Sequence, residues 1–193
     1  MAASFGVALA IACVALWGTP PGDKIGMALR ATARWSFILF LPASTGAALA
    51  ALFGPRFQFL ARHARDFGLA FASAHLVHLA LVALLYYRAV DPPLPREALV
   101  FFSVAAVWTY LIAISSFERL SWALPPRTWR IVRRWGVEFI ALAFFVDFAK
   151  SPLQGGIAHI IAYLPFLVLA VAGPLLRLAA AVRRHGQSRP VAI

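Results

Sequence analysis

Cysteine is nearly missing from this chain: Cys13 is the single one in 193 residues. A disulfide framework, a C-x-x-C redox pair and a cysteine-ligated cluster are therefore excluded. Charge is scarce too. Asp, Glu, Lys and Arg make up 13% of the chain, about half the share of a soluble domain, roughly 25%. Acidic residues are the rarer sign, 7 against 18 basic ones. No phosphate-binding loop, G-x-G-x-x-G, G-x-S-x-G or H-E-x-x-H occurs, so the chain shows no nucleotide or flavin site of its own.

What is abundant is apolar: 62% of residues are hydrophobic, and the mean hydropathy is +0.81. A disordered chain and a soluble globular domain do not have this composition. A polytopic membrane protein does. The net charge of +11 and pI near 11.4 would suggest nucleic acid in a soluble protein. Here the basic residues, nearly all arginine, fall between apolar runs, where they set topology. No nucleic-acid partner is expected; membrane lipid is.

A spanning helix needs about 20 mostly apolar residues. Candidate segments lie at 2–17, 35–53, 67–87, 99–117, 135–148 and 156–176, followed by a basic tail, 177–193. The first lacks the basic n-region and A-x-A site of a signal peptide and reads as a retained helix. Pro42 and Gly46 mildly break the second. Short Pro- and Arg-rich connectors join the segments, none long enough for a separate domain. The expected fold is all-α, a single six-helix transmembrane bundle. Arg56, Arg62 and Arg65, the arginines from Arg119 to Arg134, and those of the tail total twelve, against six in the alternate loops. That bias places both termini in the cytoplasm. The expected location is the cell membrane, as a multi-pass protein of a bacterial inner membrane.

Ionisable groups inside apolar segments are costly and point to function. His75 and His78 share one face of the third segment, amid Gly68, Ala72, Ser73 and Ala74. Small residues there admit another helix or a porphyrin. His159 lies in the sixth segment. His63 and His185 fall in basic, solvated stretches. In the fifth, Glu138 follows Arg134 by one turn and Asp147 precedes Lys150 by three residues. Local ion pairs would satisfy both; the alternative is a proton relay or metal ligand.

The run Arg65-Asp66-Phe67-Gly68-Leu69 followed by His78, ten residues after Gly68, resembles the third helix of the ferric-reductase-like transmembrane superfamily. It is closest to the heme-binding membrane subunit of the periplasmic methionine sulfoxide reductase system. Thr32–Pro42 resembles that family's second helix, and Pro125–Arg134 its loop into helix five. The resemblance covers roughly residues 25–175. It implies a b-type heme, with His78 as one ligand, and an electron-transfer subunit of an oxidoreductase system lacking its own flavin or nicotinamide domain. The family's two helix-five histidines are replaced by Arg133 and by Val146 or Asp147. Arginine cannot ligate iron, and aspartate is not among the usual axial ligands.

Three expectations follow. In the first, heme survives on rewired ligands, His78 or His75 with His159, and electrons pass across the membrane to a redox partner. In the second, the chain is a heme-free scaffold or assembly subunit with a protein partner. In the third, His75, His78, His159 and Asp147 form a non-heme metal site.

Overall fold

The computed structural model describes residues 1–18, 24–117, 125–150 and 156–187. It is all-helical, with no strand among the described residues. The helices are α1 (Ala2–Gly18), α2 (Lys24–Phe53), α3 (Gln58–Arg62), α4 (Ala64–Arg88), α5 (Arg96–Ser115), α6 (Pro126–Lys150) and α7 (Ile157–Gln187). A single 3-10 turn, Pro55–Phe57, precedes α3.

Three helices outrun their apolar runs. α2 starts at Lys24, not Trp35; α6 at Pro126, not Trp135; and α7 continues past Leu176 to Gln187. Hydropathy marks only the part that tolerates lipid. The added stretches, such as KIGMALRATAR and RLAAAVRR, are rich in Ala, Leu, Lys and Arg, which carry a helix onward regardless of solvent. Pro126 suits a first helical position, where its missing N–H costs nothing. Pro42 does not break α2, which runs through it.

Four helices, α2, α4, α5 and most of α7, are long and apolar enough to cross a membrane. α1 is apolar but has 17 residues. α6 is long but carries arginines and two carboxylates. Much of the outer surface is bare leucine, isoleucine, valine and phenylalanine, for example Val107 at 66% and Ile161 at 68% exposure. Water would not stabilise that surface, whereas lipid solvates it.

α2 is the hub, packed against α1, α3, α4 and α7. Continuing contacts from α4 to α5, α5 to α6 and α6 to α7 close a ring through α2. α1 seats outside it through Ser4, Ala8 and Ala12, small buried residues at every fourth position, which let backbones approach. Aromatic rings fill the ring's centre. Phe37 meets Phe144 and Phe148 at 5.1 Å each, and Phe40 meets Phe71 at 5.3 Å.

Two glycines meet a geometric need, one of backbone angle and one of space. Gly54 has φ of +84° where the chain leaves α2, a backbone state glycine adopts at little cost. At Gly46, an added Cβ would sit 2.7 Å from the Leu60 carbonyl oxygen. Since that neighbour is backbone, Gly46→Ala should cost about 1–3 kcal/mol by overpacking. Loss of less than about 0.5 kcal/mol in detergent thermal melts would contradict this close seating of α3.

Candidate functional site

The histidines and carboxylates singled out in the sequence fall in three separate places, each with polar neighbours. The first is the α2–α4 interface. Antiparallel packing sets Thr32 against His78 and, two turns along, Phe40 against Phe71. Thr32 is fully buried. Its Oγ1 lies 2.8 Å from the Ala28 carbonyl oxygen and 3.1 Å from His78 Nδ1. Its single hydroxyl proton serves one of these, and its lone pairs can accept from an imidazole N–H. His75 and His78 stack with ring centroids 5.2 Å apart and planes 17° apart. His75 also lies against Phe71 at 5.5 Å.

Two atoms at this level lack a partner. His75 Nδ1 and Ser36 Oγ are both buried with no hydrogen bond. The Thr32–His78 and Phe40–Phe71 contacts bracket them, which puts Ser36 and His75 on the same tier of the interface. Leaving such atoms unpaired costs about 1–3 kcal/mol each, so a polar guest on this tier would gain by pairing them.

The second place is the α2–α7 interface. His159 stacks on Tyr163, centroids 5.0 Å apart. The Arg34 guanidinium carbon sits 4.6 Å over the Tyr163 ring and 5.5 Å over Phe166. Arg34, counted above as a loop arginine, therefore lies along α2 among aromatic faces that attract a cation.

The third is a cross-link between α6 and α7. Arg177 grips Glu138 with two parallel hydrogen bonds, Nε to Oε1 at 2.9 Å and Nη2 to Oε2 at 2.6 Å. The expected Arg134–Glu138 pair is thus replaced by a pair between helices. The fork of Arg177 matches both carboxylate oxygens. Asp147 is exposed near the C-terminal end of α6. Its expected partner, the side chain of Lys150, lies outside the described residues.

The sequence candidates are not brought together as expected. His75 and His78 leave one face of one helix with near-parallel rings, so they cannot flank one porphyrin from opposite sides. His159 belongs to α7, and α2 packs against both α4 and α7, with Thr32 turned to His78 and Arg34 to Tyr163. His78 thus meets α2 at Thr32, while His159 stacks on Tyr163, which meets α2 at Arg34, so the α4 histidines and His159 lie at different interfaces of α2. No group of three or more His, Cys, Asp or Glu side chains able to hold a metal ion occurs among the described residues.

The sequence does not single out Thr32, Ser36 and Arg177 as interior polar residues. Thr32 and Ser36 are four apart, the spacing of one helix face. That spacing is in the sequence, but the apolar run starts only at Trp35, after Thr32. Arg177 was counted to the tail because the apolar run stops before it.

No family model, curated protein or solved structure matches the chain.

Proposed function

We propose that this protein is a heme-free scaffold or assembly subunit of a bacterial inner-membrane complex. All six long helices span the bilayer, with both termini cytoplasmic. In this reading α1 is short enough to need local thinning, and α6 is retained through its pairing with α7. The observation that supports the proposal is how the histidines are engaged: His78 meets Thr32 of α2, His75 stacks on His78 and Phe71 of its own helix, and His159 stacks on Tyr163 of α7. The polar groups then act as glue between helices. Thr32 with His78 ties α2 to α4, Ser4 with Ser73 ties α1 to α4, and Glu138 with Arg177 ties α6 to α7. The partner is a membrane protein, met through the lipid-facing surface or the arginine-rich cytoplasmic end.

One observation favours a second reading, an electron-transfer subunit with a b heme held from α4. His75 has a buried, unpartnered ring nitrogen beside small residues. In that case the heme would supply one-electron chemistry, while α4 would provide one imidazole and a dry setting.

An absorbance spectrum of detergent-purified full chain, made with heme supplied, separates the two. We expect no Soret band, no stoichiometric iron, and the same melting temperature from heme-fed and heme-starved cells. A Soret band with split α and β bands after dithionite would overturn the scaffold reading. Its loss in His75→Ala, with folding retained, would then place the heme on α4.

A further inference from the structure

Below the aromatic centre, the helix ring encloses a cavity of about 190 Å³. It lies where the C-terminal parts of α2 and α5 meet the N-terminal parts of α4 and α6. That is the arginine-rich end of the bundle. Its inner wall is apolar, with Phe40, Phe71, Ile112 and Ile140. Its mouth is polar and basic, with Arg65, Arg133, Ser44 and Ser116. Among the described residues, no acidic side chain lines it; Asp66, in the first turn of α4, is not one of the lining residues. The cavity therefore has one apolar end and one cationic end.

We propose that this cavity seats the head and upper chain of an acidic phospholipid from the cytoplasmic leaflet. Two guanidiniums at the mouth suit a phosphodiester, because each carries five N–H donors, enough to bind phosphate oxygens beside another partner. The first turn of α4, with Ala64 on the wall, adds the positive end of a helix dipole. The volume is below that of a site for a drug-sized ligand, roughly 300–1,000 Å³. It suits a glycerophosphate and the first carbons of one chain. The rest of the lipid leaves sideways between α4 and α5, which touch far more loosely than α2 and α4 do. No histidine is among its described lining residues, so the proposal is independent of whether α4 carries a heme.

The test is native mass spectrometry of delipidated full chain, titrated with phosphatidylglycerol or with phosphatidylcholine of the same chains. Phosphatidylglycerol should be retained on the order of tenfold more strongly. Arg65→Gln with Arg133→Gln should abolish that preference. Gly68→Leu should block binding without changing charge, since a Cβ at Gly68 meets only Ala43 Cβ at 3.9 Å, leaving space for a larger side chain. Arg127→Gln with Arg184→Gln, two arginines outside the lining, should keep it. Circular dichroism and gel filtration confirm that each variant folds, and the arginine pair decides the matter if Gly68→Leu does not. The proposal is overturned by any of four results. The two lipids bind equally, the control pair loses the preference as the mouth pair does, folded Gly68→Leu binds undiminished, or millimolar inorganic phosphate displaces the lipid. The last would make this a simple anion site.

Discussion

Phe37→Ala should be the most damaging single truncation in the bundle, at about 2–4 kcal/mol. Phe37 is 2% exposed and its ring contacts Phe144, Phe148 and Phe166 at 5.1, 5.1 and 6.2 Å. It joins α2 to α6 and α7 at once. In a soluble core such a change costs about 3–5 kcal/mol, part transfer and part cavity. The transfer part shrinks here, because lipid is as apolar as the site. The void and the lost edge-to-face contacts remain, each aromatic pair being worth about 0.5–1.5 kcal/mol. Phe37→Leu should cost about half as much. Reversible unfolding in mixed detergent measures both. An alanine variant within about 1 kcal/mol of wild type would mean that this aromatic centre does not hold the helices together.

Arg177→Met should be the second largest, at about 1–3 kcal/mol. The substitution keeps the aliphatic stem and leaves Glu138 facing α7 without its partner. Removing one member of a fully buried pair costs about 3–5 kcal/mol. Glu138 is 42% exposed and Arg177 16%, so solvent screening reduces the figure. Glu138→Gln added to Arg177→Met should return part of the loss, since no unpaired charge then remains. A double-mutant cycle reads the coupling directly. Coupling near zero would show the two hydrogen bonds to be incidental to stability.

The helical class and the apolar runs were legible in composition because lipid imposes them. With no water to satisfy backbone groups, long apolar runs are helical or are barrel strands, and these runs do not alternate. The helix ends were not legible. Lys24–Arg34 and Arg177–Gln187 look like loop and tail on a hydropathy scale, yet their residues favour helix and each finds a role at an end. Arg183, for example, donates to the Ala51 and Leu52 carbonyl oxygens and closes the C-terminus of α2. That contact spans more than a hundred residues of chain, and no local pattern announces it. The candidate site was half legible. The spacing of His75 and His78 put both on one face, as found. What decides their chemistry is the helix opposite, and a single sequence does not state which helix that is. His159 illustrates the loss: the sequence pairs it with an α4 histidine, yet it stacks on Tyr163 of its own helix while His78 meets Thr32 of α2.

The bridge between Glu138 and Arg177 also bears on the order of manufacture. α6 leaves the ribosome before α7 and is the most charged of the long helices. In the six-span reading it reaches the insertion machinery with Glu138 unneutralised, since Arg177 is made 39 residues later. A central charge opposes entry into lipid by roughly 2.5–3.5 kcal/mol on insertion scales, and less near an end. In that reading α6 is expected to enter together with its successor, as a hairpin already joined by the bridge. A chain truncated after α6 would stall at that step, although every residue of α6 itself had been made.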